Sequence, residues 1–393
     1  MSAENIKRLY SRRGLAQAAG LGGMLPALAA GAQSGPAPAP AGTFLDVRGF
    51  GAKGDGKSDD TKAIQSAIDA AAGGGAVFLS PGIYRTAELQ MRPKTSIVGV
   101  AAWDYGSSGG SVLRLLDENA TCLLNITGAF GVTIDGLSLE GGRLGKGVHG
   151  IFLNKKEYAR EDAFRIERSR IASFSGDGVR LIRAWCYTIR HCMMGRNGGD
   201  GVYMRGWDGF LLDNWFSGNQ GAGFAAREEN ASCTFTGNRI EWNRAGIELV
   251  GGDSYNITGN FFDRSGTSAL ILRKGPQGPV AMVTVTGNIV RRSGKSANAD
   301  TYDSAQVMLD GCRGVVFTGN TLQAGRDDNG RGAWSPSYGI AYKDLQHCVV
   351  TGNALHNGAL KQLMVDLGGN DESVVVKDNP GGLFQPPAPA PPA

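Results

Sequence analysis

Three carboxylate residues stand close together in the middle of the chain, among residue types that suit work on a polar substrate. Glu241 and Asp263 occupy equivalent places in two segments 22 residues apart, and Glu248 follows Glu241 across a short turn. Two carboxyl groups can break a glycosidic bond when one protonates the leaving oxygen and the other attacks, or activates the attacker. Glu248, Glu241 and Asp263 are therefore the predicted catalytic residues.

Arginine, tyrosine and tryptophan residues accompany these acids. Guanidinium and phenol groups bind polar ligands, and indole rings can stack on sugars. The predicted substrate-binding residues are Tyr203, Arg227, Arg273, Trp215, Trp242, Arg205 and Arg180. We expect Arg227 and Arg273 to lie diagonal to Glu248. Trp242 is expected to be more structural than Trp215, because Trp242 stands beside a turn.

Each acid also has an ordinary interpretation as solvated surface, since perturbed sites are a minority of charged positions. In that interpretation, Glu241 pairs with Arg239, and Asp263 pairs with Arg264. Both interpretations stay open at the level of the sequence.

Several other chemistries find no support in the residues. The four histidines, at 149, 191, 347 and 356, are too scattered for a zinc site or a Ser-His-Asp relay. The glycines follow no phosphate-binding motif, and the net charge of +4 lacks the basic stripe of a nucleic-acid-binding protein. Asp55, Asp59 and Asp60 do not have EF-hand spacing. We expect no cofactor, no metal site and no nucleic-acid partner.

A repeat of coil length positions the candidate residues. Segments of the type Gly-apolar-x-apolar recur at Gly178, Gly201, Gly223 and Gly246, at spacings of 23, 22 and 23 residues. A second column consists of asparagines, most of them preceded by glycine: Asn214, Asn238, Asn260, Asn288, Asn320 and Asn353. Strand-only repeats with stacked asparagines at a turn are typical of a parallel β-helix. The predicted fold is all-β, a right-handed parallel β-helix solenoid with a short N-terminal capping helix.

The coil predicts how the acids face one another. Strands of neighbouring coils are ~4.8 Å apart, so Asp263 should lie directly over Glu241. Glu248 should point outward, with Tyr203 and Ala225 in its own column. Insertions lengthen the later repeats, and we expect them to bulge from one side of the stack, where solenoids often bind ligands. They are residues 274–281, 294–304 and 324–336.

The N-terminal part of the repeat region carries a resemblance. The segment Phe44–Gly56 precedes an amphipathic helix, which Asp59 or Asp60 is expected to cap. The apolar positions on one face of that helix are Ala63, Ile64, Ala67, Ile68 and Ala71. This run resembles the entry segment of the pectate-lyase and polygalacturonase-like β-helix superfamily, whose helix plugs the end of the coil stack. The resemblance implies the fold but no single reaction, because hydrolases, lyases, epimerases and phage tailspikes share it. The Asn-Thr-Asp, paired-Asp and Gly-His-Gly segments that mark polygalacturonases are absent from the coils.

A second, local resemblance concerns the strand that carries Glu248. The segment from Asn238 to Gly251 is similar to part of the inulin fructotransferases, which are trimeric β-helix enzymes that cleave a fructan without a metal. The resemblance implies the role of general acid for Glu248, and a homotrimer as a candidate assembly. Gly237 stands where that family has its second carboxylate, so the implied reaction lacks one of its groups.

The ends of the chain predict export. Residues 1–32 have a basic start, a weakly apolar middle and a small-residue cleavage site, and Arg12-Arg13 resembles the pair of a twin-arginine signal. Residues 33–43 are a Pro/Ala-rich linker, residues 44–384 a single β-helix domain, and residues 385–393 a Pro/Ala-rich disordered tail. The predicted location is the bacterial periplasm or the outside of the cell, with no membrane span.

Six cysteines in an exported protein suggest disulfides, but the repeat argues against them. Cys186, Cys233 and Cys348 are predicted to share one column. Cys186 and Cys233 would then lie two coils apart, ~9.6 Å by strand spacing, which exceeds the reach of a disulfide. We expect these three to be buried core thiols, and all six cysteines to be unpaired.

These features predict an exported enzyme that acts on a carbohydrate. The first hypothesis is a glycoside hydrolase or fructotransferase-like transglycosylase that uses paired carboxylates. A polysaccharide lyase or uronate epimerase is the second, because Tyr203, Arg180 and Arg205 could serve as base and carboxylate-binding groups. A non-catalytic glycan-binding or envelope-structural β-helix is the third.

Overall fold

The computed structural model describes residues 44–295, 302–323, 333–356, 359 and 361–382, and these residues wind into a stack of coils. Each complete coil gives one short strand to each of three faces, and neighbouring strands in a face pair in parallel. The parallel β-helix fold is therefore confirmed. The predicted signal peptide, linker and tail lie outside the described residues. Within the described part of the chain, no helix is long and apolar enough to cross a membrane.

Face 1 begins each repeat of the Gly-apolar-x-apolar type. Its strands are Leu89–Gln90, Cys122–Asn125, His149–Asn154, the first part of Val179–Arg190, the first part of Val202–Leu212, Ala222–Ala226, Ala245–Val250, Leu270–Arg273, Ala305–Asp310, Tyr338–Lys343 and Gln362–Asp366.

Face 2 follows face 1 along the chain. Its strands are Phe44–Asp46, Ala76–Phe78, Ser96–Val98, Thr133–Asp135, Phe164–Glu167, the last parts of Val179–Arg190 and Val202–Leu212, Cys233–Thr236, Asp253–Thr258, Val280–Thr286, Cys312–Thr318, Val349–Thr351 and Val375–Lys377. Val179–Arg190 and Val202–Leu212 run through the corner and join faces 1 and 2 into one 22-stranded sheet.

Face 3 is a separate 12-stranded sheet that closes the coil. Its strands are Asp55–Asp59, Gly82–Thr86, Ser111–Leu115, Leu137–Glu140, Arg170–Ala172, Met193–Gly195, Trp215–Ser217, Arg239–Glu241, Phe261–Asp263, Ile289–Arg291, Thr321–Gln323 and Ala354–His356.

Alternation along each strand decides which side chains fill the interior. In Ala245–Val250, Ile247 and Leu249 point into the coil and are fully buried, whereas Glu248 points outward. Ile247 stacks between Phe224 and Leu270 of the neighbouring coils. Each fully buried side chain of this size contributes about 1.5–3 kcal/mol of transfer free energy. The interior is therefore a continuous column of stacked apolar side chains.

The asparagine column at the turn between faces 2 and 3 forms the expected ladder. Asn238 donates from Nδ2 to Asn260 Oδ1 (2.8 Å) and to the Leu211 carbonyl (2.8 Å), while its own Oδ1 accepts from the Asn214 amide (3.0 Å). The same pattern continues through Asn288, Asn320 and Asn353 to Asn379. Because these amides are buried, each one needs hydrogen-bond partners, and the neighbouring coils supply them.

A second ladder, at the turn between faces 3 and 1, was missed at the level of the sequence. Asn197 donates to Asn219 (3.0 Å), and Asn219 donates to Asn243 (2.8 Å). The signal was present as asparagines at spacings of 22 and 24 residues. This ladder explains the glycine column beside it: a Cβ on Gly201 would lie 2.9 Å from the Asn219 amide nitrogen and 2.6 Å from a backbone carbonyl.

The entry segment has the predicted helix, Thr61–Ala70, preceded by a 3-10 helix, Val47–Phe50. The helix buries Ile64, Ala67 and Ile68, as the apolar pattern predicts. Asp59 accepts from the Thr61 amide (2.9 Å), so it closes the helix start. Asp60 instead accepts from the amides of Lys53 and Gly54, and it fixes the preceding loop.

The insertions of the later coils do not all leave the stack at one corner, which corrects the expectation of a single side. Residues 274–279 connect faces 1 and 2, whereas 292–304 and 324–337 fall between faces 3 and 1. The strands that flank the insertions therefore place their points of attachment at both edges of face 1. Of the last two, only part lies within the described residues, including a 3-10 helix at Tyr302–Ser304.

All six cysteines are free thiols, as expected. The predicted shared column is wrong by one residue: Gly209 pairs with Tyr187 on one side and with Cys233 on the other. Cys186 has φ of 59°, and it is half-buried rather than part of the core. A bulge between Ile182 and Ala184, a few residues before Cys186, shifts the register of this strand relative to the next coil. Repeat spacing alone does not register such a bulge.

Replacing Asn238 by Ala should destabilise the protein by ~1–3 kcal/mol, because buried amides of the turns on both sides would lose their partner. Chemical unfolding at neutral pH measures this difference. Asn256→Ala, at an exposed position of Asp253–Thr258, is the matched control and should change stability by less than ~0.5 kcal/mol. Equal stabilities of the two variants would contradict a supporting ladder.

In the folded protein, Cys186 should be alkylated well before the other cysteines. Burial raises the pKa of Cys186 to about 11, and it raises those of Cys192 and Cys233 to about 12 in the closed interior. Both the thiolate fraction and access therefore favour Cys186. A time course of intact mass checks this order, and Cys186→Ser should remove the fast phase. Fewer than six alkylated thiols after non-reducing denaturation would contradict unpaired cysteines.

Candidate functional site

An outward row of side chains runs along face 1, and we call this row, together with the side chains that border it, the face 1 cleft, of which the row is the floor. Register pairs place one residue from each of six successive coils side by side. They are Phe152, Arg180, Tyr203, Ala225, Glu248 and Ile271. The column predicted for Glu248 is therefore confirmed.

Part of this floor is apolar although it faces away from the core. Tyr203, Ala225 and Ile271 pack with Ala222 and Ala245 into a small buried cluster separate from the interior. Charged side chains that lie over such a base are poorly hydrated, and electrostatic interactions between them are stronger than in open water.

Glu248 is held between two arginines over this floor. Arg227 donates to Glu248 Oε2 from Nε (3.2 Å) and Nη2 (2.8 Å), and Arg244 donates to the same oxygen. Only 11% of the Glu248 side chain is exposed, so it is not the solvated group that an outward position suggests. Burial acts to raise the pKa of Glu248, but the two guanidinium groups outweigh burial and lower it. The carboxyl group is therefore ionised at neutral pH, which suits a base or an anchor better than the general acid implied by the fructotransferase resemblance.

Arg227 also holds a second carboxylate, Asp200, which the sequence analysis missed. Arg227 Nη1 and Nη2 donate to the two oxygens of Asp200 at 2.8 and 3.0 Å. Asp200 additionally accepts from the Ala222 amide (2.7 Å), which fixes its orientation at the edge of face 1. One guanidinium therefore brings Asp200 and Glu248 together.

Tyr203 lies at the centre of the cleft floor between two guanidinium groups. The Arg180 guanidinium carbon is 4.4 Å from the centre of the Tyr203 ring, and that of Arg227 is 6.0 Å away. The phenol donates a short hydrogen bond to Glu228. Burial, and then the bond to Glu228, raise the pKa of Tyr203 well above its ordinary value. The phenol keeps its proton in this arrangement.

A histidine completes the cleft on the N-terminal side of Tyr203. His149 Nδ1 accepts from the Asp177 amide (2.9 Å), and Arg180 Nη1 donates to Asp177 Oδ2 (2.8 Å). Burial lowers the pKa of His149, although the Asp177 carboxylate opposes this. The imidazole is therefore neutral at neutral pH, with Nδ1 used as an acceptor and the proton on Nε2. His149 and Asp177 were not among the predicted site residues.

The edge of the cleft toward face 2 is built by the 155–162 loop. Tyr158 stacks on Trp207 with ring centres 3.9 Å apart, and its hydroxyl donates to Glu229 (3.4 Å). Arg205 pairs with Glu228 (3.2 Å) and Glu229 (3.5 Å) on the same edge. Arg205 is thus placed at the cleft wall, as a predicted binding residue would be.

Glu241 and Asp263 are adjacent in register, as predicted, but they lie on face 3 rather than beside Glu248. Glu241 accepts from Arg239 Nε and from Trp215 Nε1, both at 2.9 Å. Asp263 is bound by Arg264 (2.6 Å) and by Arg292 Nε (2.9 Å). Their side chains are only 7% and 4% exposed. The ordinary interpretation as ion-paired groups therefore describes both acids, and the predicted cluster of three carboxylates is not formed on one face.

Two further expectations concern Arg273 and the pair of tryptophans. Arg227 and Arg273 lie diagonal to Glu248 in register, as predicted, but Arg273 pairs with Asp310 (3.7 Å) on the next coil, and Arg244 is the second arginine that pairs with Glu248. Trp242 is 43% exposed, whereas Trp215 is half-buried beneath Tyr105, with ring centres 5.2 Å apart. The expected roles of the two tryptophans are thus reversed, because the turn residue projects from the coil.

Within the described ranges, no three His, Cys, Asp or Glu side chains gather in a geometry that could hold a metal ion.

Family models match most of the chain. The model of the right handed beta helix region matches residues 122–277 and 216–380, and a rhamnogalacturonase A/epimerase, pectate lyase-like model matches residues 44–105.

Curated relatives match parts of the chain. Alginate lyase 7 of Azotobacter vinelandii is 45% identical over 82 residues, which are 18% of this chain and 9% of the lyase. Mannuronan C5-epimerase AlgE3 of that organism is 35% identical over 181 residues, or 40% of this chain and 9% of the epimerase. Mannuronan C5-epimerase AlgE4 is 31% identical over 196 residues, covering 44% and 34% of the two chains. The match therefore spans about a tenth of the length of the first two relatives and a third of AlgE4.

Solved structures share the fold over most of the chain. The A-module of mannuronan C-5 epimerase AlgE6 of Azotobacter vinelandii superimposes with a TM-score of 0.60 at 20% identity, covering 84% of this chain and 98% of the module. DFA-IIIase from Arthrobacter chlorophenolicus A6 in complex with GF2 gives 0.60 at 14% identity, covering 85% and 96%.

Replacing Glu248 by Gln should change how stability depends on pH. Because the pKa of Glu248 is lowered in the folded protein, its ionised form stabilises the fold above the ordinary value of 4.5, and this stabilisation is lost as pH falls through the folded pKa. The difference in unfolding free energy between wild type and Glu248→Gln should therefore be full at neutral pH and shrink below pH 4.5. Urea unfolding across a pH series measures it. Glu372→Gln, at an exposed position, is the control, and a constant difference for Glu248→Gln would contradict the arginine clamp.

Proposed function

Since the chain belongs to the right-handed β-helix family, we propose that it is a carbohydrate-active enzyme that removes the C5 proton of a uronate in an acidic polysaccharide, as a lyase or an epimerase. The reaction would take place in the face 1 cleft. The observation that carries the proposal is the position of Tyr203, a shielded phenol between the guanidinium groups of Arg180 and Arg227.

The chemistry of a uronate needs such an arrangement. The C5 proton becomes acidic only when the negative charge of the neighbouring carboxylate is neutralised, because its removal places further charge on that group. Arg180 and Arg227 each keep 32% of their side-chain surface exposed, so a substrate carboxylate can reach either guanidinium. Both guanidinium groups also bind carboxylates of the protein, so their charge is largely balanced. The direction of their free N–H groups, rather than net positive charge, would therefore select the substrate carboxylate.

Tyr203 is suited to move a proton at the centre of the cleft. In a lyase, the C5–H and C4–O bonds break, a C4–C5 double bond forms, and the leaving oxygen takes up a proton. In an epimerase, C4–O stays intact and a proton returns to C5 from the opposite side. In either reaction Tyr203 would pass its phenol proton to the Glu228 carboxylate as it takes up the C5 proton, and His149 would donate from Nε2 to the leaving oxygen or back to C5.

The relatives support a uronate as the substrate. Curated proteins that share 31–45% identity over parts of the chain include alginate lyase 7 and several mannuronan C5-epimerases, and also a probable glucan endo-1,3-beta-glucosidase that is 42% identical over 60 residues. The aligned stretches cover 9% of alginate lyase 7 and 34% of AlgE4. The predicted export signal agrees with a polysaccharide substrate in the periplasm or outside the cell.

Glycosidic cleavage by paired carboxylates is a second candidate function, favoured by one observation. Asp200 and Glu248 meet at the guanidinium of Arg227, which places two carboxylates on the same cleft. These two replace the pair Glu241 and Asp263 expected from the sequence. An acid role would need one of them to become protonated when substrate displaces Arg227.

A screen of the mature protein over uronans, fructans and glucans would identify the substrate class, with unsaturated ends, epimer ratio and reducing ends as separate readouts. On the active uronan, Tyr203→Phe should lower kcat by ~10²–10⁴ because it removes an acid–base group. The melting temperature should stay close to wild type, since the ring remains. Tyr302→Phe, at an exposed tyrosine outside the cleft floor, is the matched control.

The outcomes separate the two candidates. Full activity of Tyr203→Phe on a uronan would overturn the proposed proton transfer. Activity confined to neutral glycans, lost in Glu248→Gln and Asp200→Asn at unchanged stability, would establish the second candidate instead.

A further inference from the structure

Face 3 carries a row in which aromatic rings alternate with arginines, away from the cleft on face 1. The Tyr105 and Trp215 ring centres are 5.2 Å apart, and the Arg239 guanidinium lies 5.8 Å from Trp215 and 4.6 Å from Phe261. The guanidinium of Arg196 lies 5.3 Å from Tyr105 at the start of this row. Trp215, Arg239 and Phe261 belong to three successive coils in direct register.

A parallel row stands where each coil leaves face 3. This position needs a positive φ, which glycine adopts without strain and which other residues adopt at a cost. One coil has Gly218 there, with φ of 71°, and another has Ser173 at 61°. Larger residues occupy the same place in four other coils: Arg196 at 57°, Trp242 at 60°, Arg264 at 51° and Arg292 at 41°. The Arg264 guanidinium lies 4.7 Å from the Trp242 ring. Large side chains at positions that favour glycine suggest a use for the side chains themselves.

We call Tyr105, Arg196, Trp215, Arg239, Trp242 and Phe261 the face 3 stripe. Its most projecting members are well exposed: 50% of the Arg239 side chain, 43% of Trp242 and 38% of Tyr105. Hydrogen bonds fix the orientation of two of its rings. Trp215 Nε1 donates to Glu241 (2.9 Å), and the Tyr105 hydroxyl bonds the Ser217 hydroxyl (3.0 Å).

Arginines outnumber the buried acids on this part of face 3. Glu241, one of its buried acids, pairs with Arg239, and Asp263, the other, pairs with Arg264 and Arg292. Arg196 lies against Tyr105, and the exposed acid beside that ring, Asp104, accepts from Ser107. The two acids are 7% and 4% exposed, whereas Arg239 is half exposed. Along Trp215, Arg239 and Phe261, an approaching ligand therefore meets a guanidinium group and ring faces rather than the buried carboxylates.

We propose that the face 3 stripe is a second polysaccharide-binding surface, separate from the face 1 cleft, and that its ligand is an acidic glycan chain. Ring faces pack against the C–H faces of sugar rings, and guanidinium groups bind uronate carboxylates. The coil spacing of ~4.8 Å repeats these groups at about the length of one sugar residue. The choice of an acidic glycan rests on the proposed function, whereas the presence of a second surface does not.

The test uses the mature full chain and two polymers, polygalacturonate and neutral dextran, in affinity gel electrophoresis. The double variant Arg239→Gln/Trp242→Ala removes the most exposed cation and ring of the stripe. The matched control is Arg165→Gln/Phe210→Ala, which removes an exposed arginine and an exposed phenylalanine from face 2. Thermal unfolding of both proteins is recorded, and Arg196→Gln alone serves if the double variant does not fold.

The double variant should bind polygalacturonate about tenfold more weakly than the control, at an unchanged melting temperature. Wild type should retard strongly in polygalacturonate and little in dextran. Equal binding by the double variant and the control would overturn the inference, and so would equal retardation of wild type by the two polymers.

Tyr203→Phe separates this inference from the proposed function. The surface predicts that Tyr203→Phe keeps its binding to polygalacturonate. If wild type converts a uronan but the double variant binds as the control does, the second surface fails and the proposed function stands. If the double variant loses binding while wild type converts no uronan, the proposed function fails and the surface stands.

Discussion

The hydrogen bond from one ladder asparagine to the next is the constraint on which the rest of the structure depends. Asn214, Asn238 and Asn260 satisfy buried turn amides only when each coil sits in one register over its neighbour. That register fixes every outward row, including the row that carries Tyr203 and Glu248. The ladders take no part in the proposed chemistry, yet a slip of one residue would turn both of these side chains into the core.

The fold could be predicted from the sequence because its signal is periodic. The repeats predict that Asp263 stacks on Glu241 and that the main asparagine ladder forms, because equivalent positions of successive coils lie over one another. They also predict that Glu248 points outward, because alternation along a strand decides which side chains do so. The predicted helix at the entry is present for a similar reason: its apolar positions recur at helical spacing. These parts of the structure follow from local pattern alone.

The candidate site could be predicted only in part, because its partners meet across turns. Asp200 lies just before its strand, and it binds Arg227, which is 27 residues further along the chain. The alternation of inward and outward residues along a strand does not predict a contact of this kind. Arg244, rather than Arg273, pairs with Glu248 because a side chain in the preceding turn can fold back over the strand. The expected grouping of Glu241 with Glu248 was also wrong. Only three turn residues separate Glu241 from the strand of Glu248, but the chain passes from face 3 to face 1 at this turn.

The distribution of the cleft over successive coils has a consequence for where the chain can change length. Asp200, Arg227 and Glu248 come from three neighbouring coils, and one guanidinium spans them. A coil duplicated between them would move one carboxylate out of reach by ~4.8 Å, whereas a coil added beyond residue 270 would leave the contact intact. The insertions at 274–279, 292–304 and 324–337 follow residue 270, and the loops at 99–110 and 155–163 precede Asp200. The chain therefore changes length on either side of these three coils, while the coils that join Asp200 to Glu248 keep their short repeat.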